Sequence, residues 1–368
     1  MRVIFAGGGT GGHLYPGLAI ARALGRVRPD LEPFFVGAQR GVERDVLPTA
    51  GFRHELLDLH PLYRSAVWNN WKTLRGAVGA WRRASALSRE QSGRVGLVVG
   101  TGGYASGLML AYAATHGIPY VLQEQNSFPG LTMRVFARWA REIYLGFPEA
   151  ARHLRTGTRT TVVDAGNPIE PPPRPRPERG AARRAWSLPE RGGHVLLVFG
   201  GSQGARAINQ TVDAWLGTGR LPSTVYLIWA TGRAAYDQFR GRESERVRVR
   251  PYISPMRDAY AATDLAVARA GAMSTAEMCA WGIPQILVPL PTAAADHQTG
   301  NARTLAAANA GVFVPQAELT ANKLDTLVRE LTGDQRRLDA LSAGARARAR
   351  PDAADQIARR IVALLDAA

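Results

Sequence analysis

Arg2-Val3-Ile4-Phe5-Ala6-Gly7-Gly8-Gly9-Thr10-Gly11-Gly12-His13 decides how the rest of the chain is read. The first half of this stretch is a short, continuously apolar run, the mark of a strand buried on both faces. The second half is a glycine loop that opens a helix, with Pro16 in the first turn. At such a junction glycines let backbone amides come close to a ligand, and the helix presents its positive end.

Outward from this stretch, apolar runs alternate with helical patterns along the 368 residues. Strands are predicted at 2–6, 33–36, 96–99, 119–122 and 142–145, and again at 194–199, 225–230, 247–250, 265–268 and 284–288. Their unbroken hydrophobicity predicts parallel sheets covered by helices on both faces. Between the two series, Asn167-Pro168-Ile169 precedes Pro171, Pro172, Pro173, Pro175 and Pro177, which cannot hold a helix or an inner strand. The expected fold class is α/β, with two Rossmann-like doubly wound domains facing across a cleft. Its expected parts are residues 1–166, a proline-rich linker 167–178, residues 179–350, and a final helix 351–368 that packs back on the first domain.

Composition narrows the class. Hydrophobic residues make up 46% of the chain and aromatics 8%, which fits an aliphatic globular core. The first strand runs straight into its loop, so no signal peptide is expected, and no apolar stretch reaches the ~20 residues of a membrane-spanning helix. Cys279 is the only cysteine; it excludes an intrachain disulfide, suits a reducing compartment, and reads as a small buried hydrophobe. The formal charge is +16, and all but two of the 46 basic residues are arginine, the lysines being Lys72 and Lys323. Such a surface favours polyanions, whether diphosphate, anionic lipid or nucleic acid.

Four strand-to-helix junctions are glycine-rich: 7–13, 101–107, 200–204 and 269–272. Two fall in each half, at strand ends where α/β proteins bind ligands, and diphosphate is their natural occupant. Gly7, Gly9 and Gly12 also satisfy the dinucleotide fingerprint, but that site needs an acid after the second strand, and 34–39 supplies none. His13 stands where the first loop becomes a helix. It either binds phosphate and caps the turn or, as a neutral imidazole beside a helix N-terminus, takes a proton from a substrate hydroxyl. Glu277 lies in a mostly apolar segment, where a carboxylate suits a ribose diol. The 296–301 segment Asp-His-Gln-Thr-Gly-Asn opens a helix with side chains suited to sugar hydroxyls.

Longer motifs add specificity. They are Gly8 through His13, the 101–107 segment Thr-Gly-Gly-Tyr-Ala-Ser-Gly, Gln123-Glu124-Gln125-Asn126, Gly166-Asn167-Pro168, and the 200–205 segment Gly-Gly-Ser-Gln-Gly-Ala. Ala-Gly-Ala-Met-Ser-Thr-Ala-Glu and His-Gln-Thr-Gly-Asn-Ala follow, so the set spans essentially the whole chain. In this order the sequence resembles the MurG family of bacterial peptidoglycan synthesis, within glycosyltransferase family 28, whose fold is the two-Rossmann GT-B arrangement. The resemblance implies transfer of N-acetylglucosamine from UDP-N-acetylglucosamine (UDP-GlcNAc) to the C4 hydroxyl of the muramyl sugar of lipid I. The transfer inverts the anomeric centre and gives lipid II.

Carried over by position, the resemblance implies that Thr10, Gly11, Gly12, Gly102, Gly103, Tyr104, Ser106 and Asn126 meet the acceptor, with His13 as base. Ser202, Gln203 and Gly204 would meet the donor phosphates, Ile253 the uracil through its backbone, Glu277 the ribose, and His297 with Gln298 the donor sugar. Met256, Gly271, Ala272, Met273 and Ser274, with Thr10, Gly11, Gly12, Asn126 and Glu170, complete the implied UDP-GlcNAc contacts. After its Asn-Pro motif the family commonly carries an arginine, where this chain has Glu170. The task of that cation would pass to the helix start after Gly201, to Arg206 or to Arg269. No cofactor or metal is implied. No two aspartates stand two apart, and helix amides at 202–204 would stabilise the departing diphosphate.

Trp68, Trp71 and Trp81, interleaved with Lys72, Arg75, Arg82 and Arg83, suit an anionic membrane surface. A peripheral position on the cytoplasmic face of the inner membrane is expected, against the plain alternative that these tryptophans pack on the domain. Two other functional readings compete: a related GT-B transferase with another lipid or small-molecule acceptor, and a basic nucleotide-binding module without turnover. No motif supports a nucleic-acid partner.

Overall fold

The structure, a computed structural model, describes residues 1–59, 70–89, 94–201 and 204–367. One sheet contains β1 (Arg2–Gly7), β2 (Glu32–Ala38), β3 (Arg53–Leu57), β4 (Val95–Gly102), β5 (Tyr120–Glu124), β6 (Glu142–Leu145) and β7 (Thr161–Asp164). Its order is β3-β2-β1-β4-β5-β6-β7, parallel at every pair. A second sheet contains β8 (His194–Phe199), β9 (Val225–Ala230), β10 (Val247–Arg250), β11 (Leu265–Ala268), β12 (Gln285–Leu287) and β13 (Gly311–Phe313). Its order, β10-β9-β8-β11-β12-β13, repeats the first and is likewise parallel.

All ten apolar runs occur as strands. β3, β7 and β13 were not anticipated, and each lies at a sheet edge. An edge strand need not be apolar on both faces, so Arg-His-Glu-Leu-Leu in β3 and the mostly exposed β7 carry no continuous run. β13 is only three residues long. In the central strands alternate residues go to opposite faces, as the pleat requires. Ile4 and Val98 join one core cluster and Val3, Phe5, Leu97 and Val99 another. Leu196 and Val198 are divided in the same way from Val195 and Leu197.

Contacts divide the chain into two compact units, Met1–Ile169 with Asp352–Ala368, and Glu170–Pro351. The helix Ala353–Asp366 therefore completes the first unit. Ala354, Ile357, Ala358 and Ile361 enter the cluster formed by Leu14, Leu18 and Ala21 of the helix Gly11–Val27. Arg26 pairs with Asp355 at 2.6 Å and Arg28 with Asp366 at 2.9 Å. Arg360 donates to both carboxylate oxygens of Glu142 at 2.6 and 2.7 Å. In the second unit, Arg176 of the proline-rich stretch donates to the carbonyls of Ala280 and Trp281 at 2.8 and 3.2 Å.

The Arg360–Glu142 pair is half covered, with side-chain exposures of 37% and 9%. Arg360→Ala strands the buried carboxylate on β6. It is expected to lower the unfolding free energy of the first unit by about 2 kcal/mol, between the values for exposed and buried pairs. Urea titration followed by tryptophan fluorescence checks this, and UDP binding should be unaffected.

Candidate active site

The strand order reverses between β1 and β4 in the first unit and between β8 and β11 in the second. Those are the switch points at which doubly wound sheets open a ligand crevice, and all four glycine loops leave from them. In the first unit the two loops touch. Gly8 N–H donates to the Gly102 carbonyl at 3.3 Å, and Thr101 Oγ1 donates to the His13 carbonyl at 2.7 Å. Gly102 and Gly103 adopt φ of +101° and +79°. A Cβ on Gly103 would lie 2.2 Å from the Gly8 oxygen, and one on Gly102 would lie 2.8 Å from His13 Cδ2. These glycines therefore admit the His13 ring as well as any ligand.

His13 is half-buried. Its Nδ1 lies 3.2 Å from both the Gly8 carbonyl oxygen and Thr10 Oγ1. A carbonyl only accepts, so Nδ1 carries the proton and the lone pair resides on Nε2. His13 is the third residue of the helix Gly11–Val27, whose first turn holds no acid. The positive helix end disfavours a charged imidazolium there. Thr10 and Gly12 are exposed and Gly11 half-buried beside it. Tyr104 packs against Gly9 and donates its hydroxyl to the Arg40 carbonyl at 3.0 Å.

Ser106 does not fit its expected acceptor role. Its side chain is wholly buried against Gly100 of β4, so its hydroxyl cannot reach a ligand. The Gln-Glu-Gln-Asn motif is mainly scaffolding. Gln125 donates to the Thr101 carbonyl at 2.8 Å, Asn167 to the Gln125 carbonyl at 2.9 Å, and Gln123 to Asn167 Oδ1 at 3.2 Å. Glu124, 2% exposed, accepts from Asn126 N–H at 2.8 Å and Gly130 N–H at 2.9 Å. Burial pushes its carboxyl up, against the pull of these bonds. Asn126 is held half-buried just beyond the end of β5, with Nδ2 3.3 Å from Glu124 Oε1.

Sequence reading passed over Glu43, five residues beyond the end of β2. Its Oε1 accepts from Gly9 N–H at 2.7 Å, beneath the first glycine loop. An acid does follow the second strand, yet it is fully buried and so cannot hold a ribose.

In the second unit, a cavity of about 490 Å³ opens at the switch point, lined by Gly200, Gly201, Gly204, Arg206, Arg269, Ser274, Gln298 and Gln316 among others. Ser202 and Gln203 lie outside the described residues. The helices Arg206–Gly217 and Ala272–Trp281 both begin in this region, capped by Ala205 and by Gly271, with no acid in either first turn. Arg269 is tied down: it donates to the Val288 and Pro289 carbonyls at 3.1 and 2.9 Å and to Gln316 Oε1 at 2.7 Å. Arg206 is exposed and has no such ties among the described residues. Glu170 is 85% exposed with its nearest cation, Arg257, 4.0 Å away, so it offers a diphosphate no positive charge.

Glu277 accepts a hydrogen bond from Tyr260 at 2.8 Å. Burial pushes the Glu277 carboxyl up, Tyr260 pulls it down, and Glu170 adds to the rise. Ile253 is buried at 5%, which leaves its backbone as its only usable face, and Met256 packs beside the same cluster. Ala272 is buried, while Met273 and Ser274 are partly exposed. His297 and Gln298 follow a turn in which Ala295 and Asp296 hold φ of +52° and +53°, a strained pair of the kind found at functional loops. Gln298 Oε1 accepts from Leu290 N–H at 2.9 Å, and His297 Nδ1 lies 2.7 Å from the Ala294 carbonyl.

The membrane expectation changes. Trp68 and the Trp71 side chain lie outside the described residues. Trp81 is half-buried and packs on the core, with its ring 5.3 Å from Tyr112 and 5.8 Å from His116. Among the described residues no helix is long and apolar enough to cross a membrane.

Residues 3–145 match the glycosyltransferase family 28 N-terminal domain, and residues 195–357 match the family's C-terminal domain. The chain is 41% identical over 370 residues to the UDP-N-acetylglucosamine--N-acetylmuramyl-(pentapeptide) pyrophosphoryl-undecaprenol N-acetylglucosamine transferase of Salinibacter ruber, covering 99% of this chain and 97% of that one. It is 40% identical to the protein of the same name from Moorella thermoacetica, covering 97% of each. It is similar in structure to Acinetobacter baumannii MurG, with a TM-score of 0.76, 26% identity, and coverage of 98% and 99%. A Polygonum tinctorium UDP-glucosyltransferase shares the fold at a TM-score of 0.73 and 15% identity, with coverage of 99% and 98%.

Because burial raises the Glu277 carboxyl, its charge costs stability once the pH exceeds the unfolded value, and the full cost is reached above the folded one. Glu277→Gln is expected to raise the thermal midpoint near neutral pH by about 2 °C, with the gain vanishing in acid. The same change should raise KM for UDP-GlcNAc about tenfold, through loss of a charged acceptor for hydroxyls. Calorimetry across pH and steady-state kinetics check the two effects.

Proposed function

The chain belongs to glycosyltransferase family 28, and from that membership we propose that it transfers N-acetylglucosamine from UDP-GlcNAc to the C4 hydroxyl of the muramyl sugar of lipid I, giving lipid II. The observation that carries this reading is 41% identity over 99% of the chain to a transferase of that name. Relatives at this level do not favour an acceptor of another class.

His13 is the general base. Its Nε2 takes the proton of the C4 hydroxyl while that oxygen attacks the anomeric carbon of the donor sugar. The bond from that carbon to the β-phosphate oxygen breaks, and its electron pair leaves with UDP. One displacement inverts the centre, as in inverting glycosidases. Support comes from the tautomer set by Gly8 and from the helix start, whose positive end disfavours a charged ring. Exposed Thr10 and Gly12, with half-buried Gly11 and Asn126, receive the acceptor.

The donor sits in the second unit. The departing diphosphate draws on the helix start at Arg206, the Arg206 side chain and the helix start at Ala272, a route in which preorganised amides do the work of a metal. Arg206 takes over from the cation that Glu170 displaces. Glu277 holds the ribose, and Gln298 with His297 faces the sugar.

His13→Ala is expected to lower kcat by about 10³-fold, within the usual range for a general base. The dissociation constant for UDP, measured by calorimetry, should stay within twofold. Turnover near the wild-type rate would remove His13 as the base.

A lipid acceptor calls for a membrane surface, and the reading includes a peripheral position on the cytoplasmic face of the inner membrane. Leu131, Val135 and Trp139, spaced four residues apart, are 53%, 49% and 61% exposed, with Arg134 and Arg138 between them. Apolar side chains flanked by arginines suit an anionic interface. Leu131→Ser with Trp139→Ser should reduce co-sedimentation with phosphatidylglycerol vesicles severalfold while UDP affinity is kept. Unchanged sedimentation would exclude this segment.

A further inference from the structure

Glu43 is wholly buried, and no cation pairs with it among the described residues. One oxygen, Oε1, accepts from Gly9 N–H at 2.7 Å and from Ala38 N–H at 3.4 Å. The other, Oε2, has no hydrogen-bond partner. A buried carboxylate with half its acceptor capacity unmet is costly for a fold. The backbone around it is shaped to admit it. A Cβ on Gly8 would lie 1.6 Å from Oε1, one on Gly41 2.2 Å from Oε2, and one on Gly37 3.1 Å from the Glu43 Cβ and Cγ. Three glycines from two segments thus form a cradle for a single carboxyl group.

The loop held in this way is the one that orients His13. Glu43 lies against Gly8 and fixes the amide of Gly9, while the Gly8 carbonyl faces His13 Nδ1 at 3.2 Å. We propose that Glu43 is a positioning residue for the base: it clamps the Gly8–Gly9 peptide so that the Gly8 oxygen holds the proton on Nδ1 and leaves Nε2 to receive one. The clamp has a second effect. It withdraws the Gly9 amide from any ligand, so an acceptor diphosphate is met by the helix-start amides of Gly11 and Gly12 instead. The inference rests on His13 being the base.

Three substitutions separate geometry from charge. Glu43→Gln keeps an acceptor at the Oε1 position and should stay within about threefold of wild-type kcat. Glu43→Asp keeps the charge but falls one methylene short of Gly9, and Glu43→Ala removes both features. Each of these two should lower kcat by about 10²-fold, the scale of a roughly 1 Å misplacement, with KM for UDP-GlcNAc within twofold. Rates are normalised to the folded fraction of the first unit, read from its own unfolding transition. Wild-type kcat in Glu43→Asp or Glu43→Ala would overturn the inference, as would a loss that vanishes on normalisation or one that Glu43→Gln shares in full. His13→Ala run alongside tells the failures apart. If that variant is active, the base assignment is wrong; if it is inactive while Glu43→Asp and Glu43→Ala are not, only the clamp is wrong.

Discussion

The first unit depends on two backbones meeting at van der Waals distance. β1 and β4 are adjacent and parallel, with Gly7 in register with Gly102, so the loops that follow them leave side by side. Ordinary side chains would force them apart. Gly103 has room for none, because the Gly8 oxygen occupies that space. Into the remaining gap the structure fits one imidazole, bonded through Nδ1 to one loop and packed on the other. The crevice is thus set by steric exclusion before any ligand arrives, and its chemistry follows from what the exclusion leaves.

The second unit uses the same strand order for a different end. No imidazole is wedged between its glycine loops among the described residues. The space instead becomes a cavity edged by two helix starts, two arginines and several amide side chains. One topology therefore holds an imidazole in one copy and a positive field in the other. The division suits a displacement in which a proton leaves one partner and negative charge collects on the other. Arg269 and Gln316 show how rigid that field is, since three acceptors fix one guanidinium in place.

Much of this was legible in the residues. Buried parallel strands announce themselves by unbroken apolar runs, and glycines mark close approach, so β1, β4, β8 and β11 and their loops could be read directly. The edges could not: β3 mixes charged and apolar residues and is mostly only half-buried. The motifs point to His13, Asn126 and Glu277 as candidates, but a motif does not reveal which of its members face inward. Ser106 stands within a glycine loop and yet turns into the core. Glu43 and Tyr260 escaped because their partners, Gly9 and Glu277, are distant in sequence. Trp81 carries a related ambiguity. A tryptophan among arginines looks the same in sequence whether its ring meets lipid or, as here, Tyr112 and His116.

The helix Ala353–Asp366 ties the first unit to a segment made only after the entire second unit has been synthesised. Until then Leu14, Leu18 and Ala21 lack one wall of their cluster. Domains usually fold in order of synthesis, the N-terminal one first. This chain departs from that order for one step: the first unit cannot seal this cluster until the helix that follows the second unit in sequence has been made. A nascent chain interrupted before that helix would leave the first unit unsealed, with apolar surface exposed for a chaperone to hold.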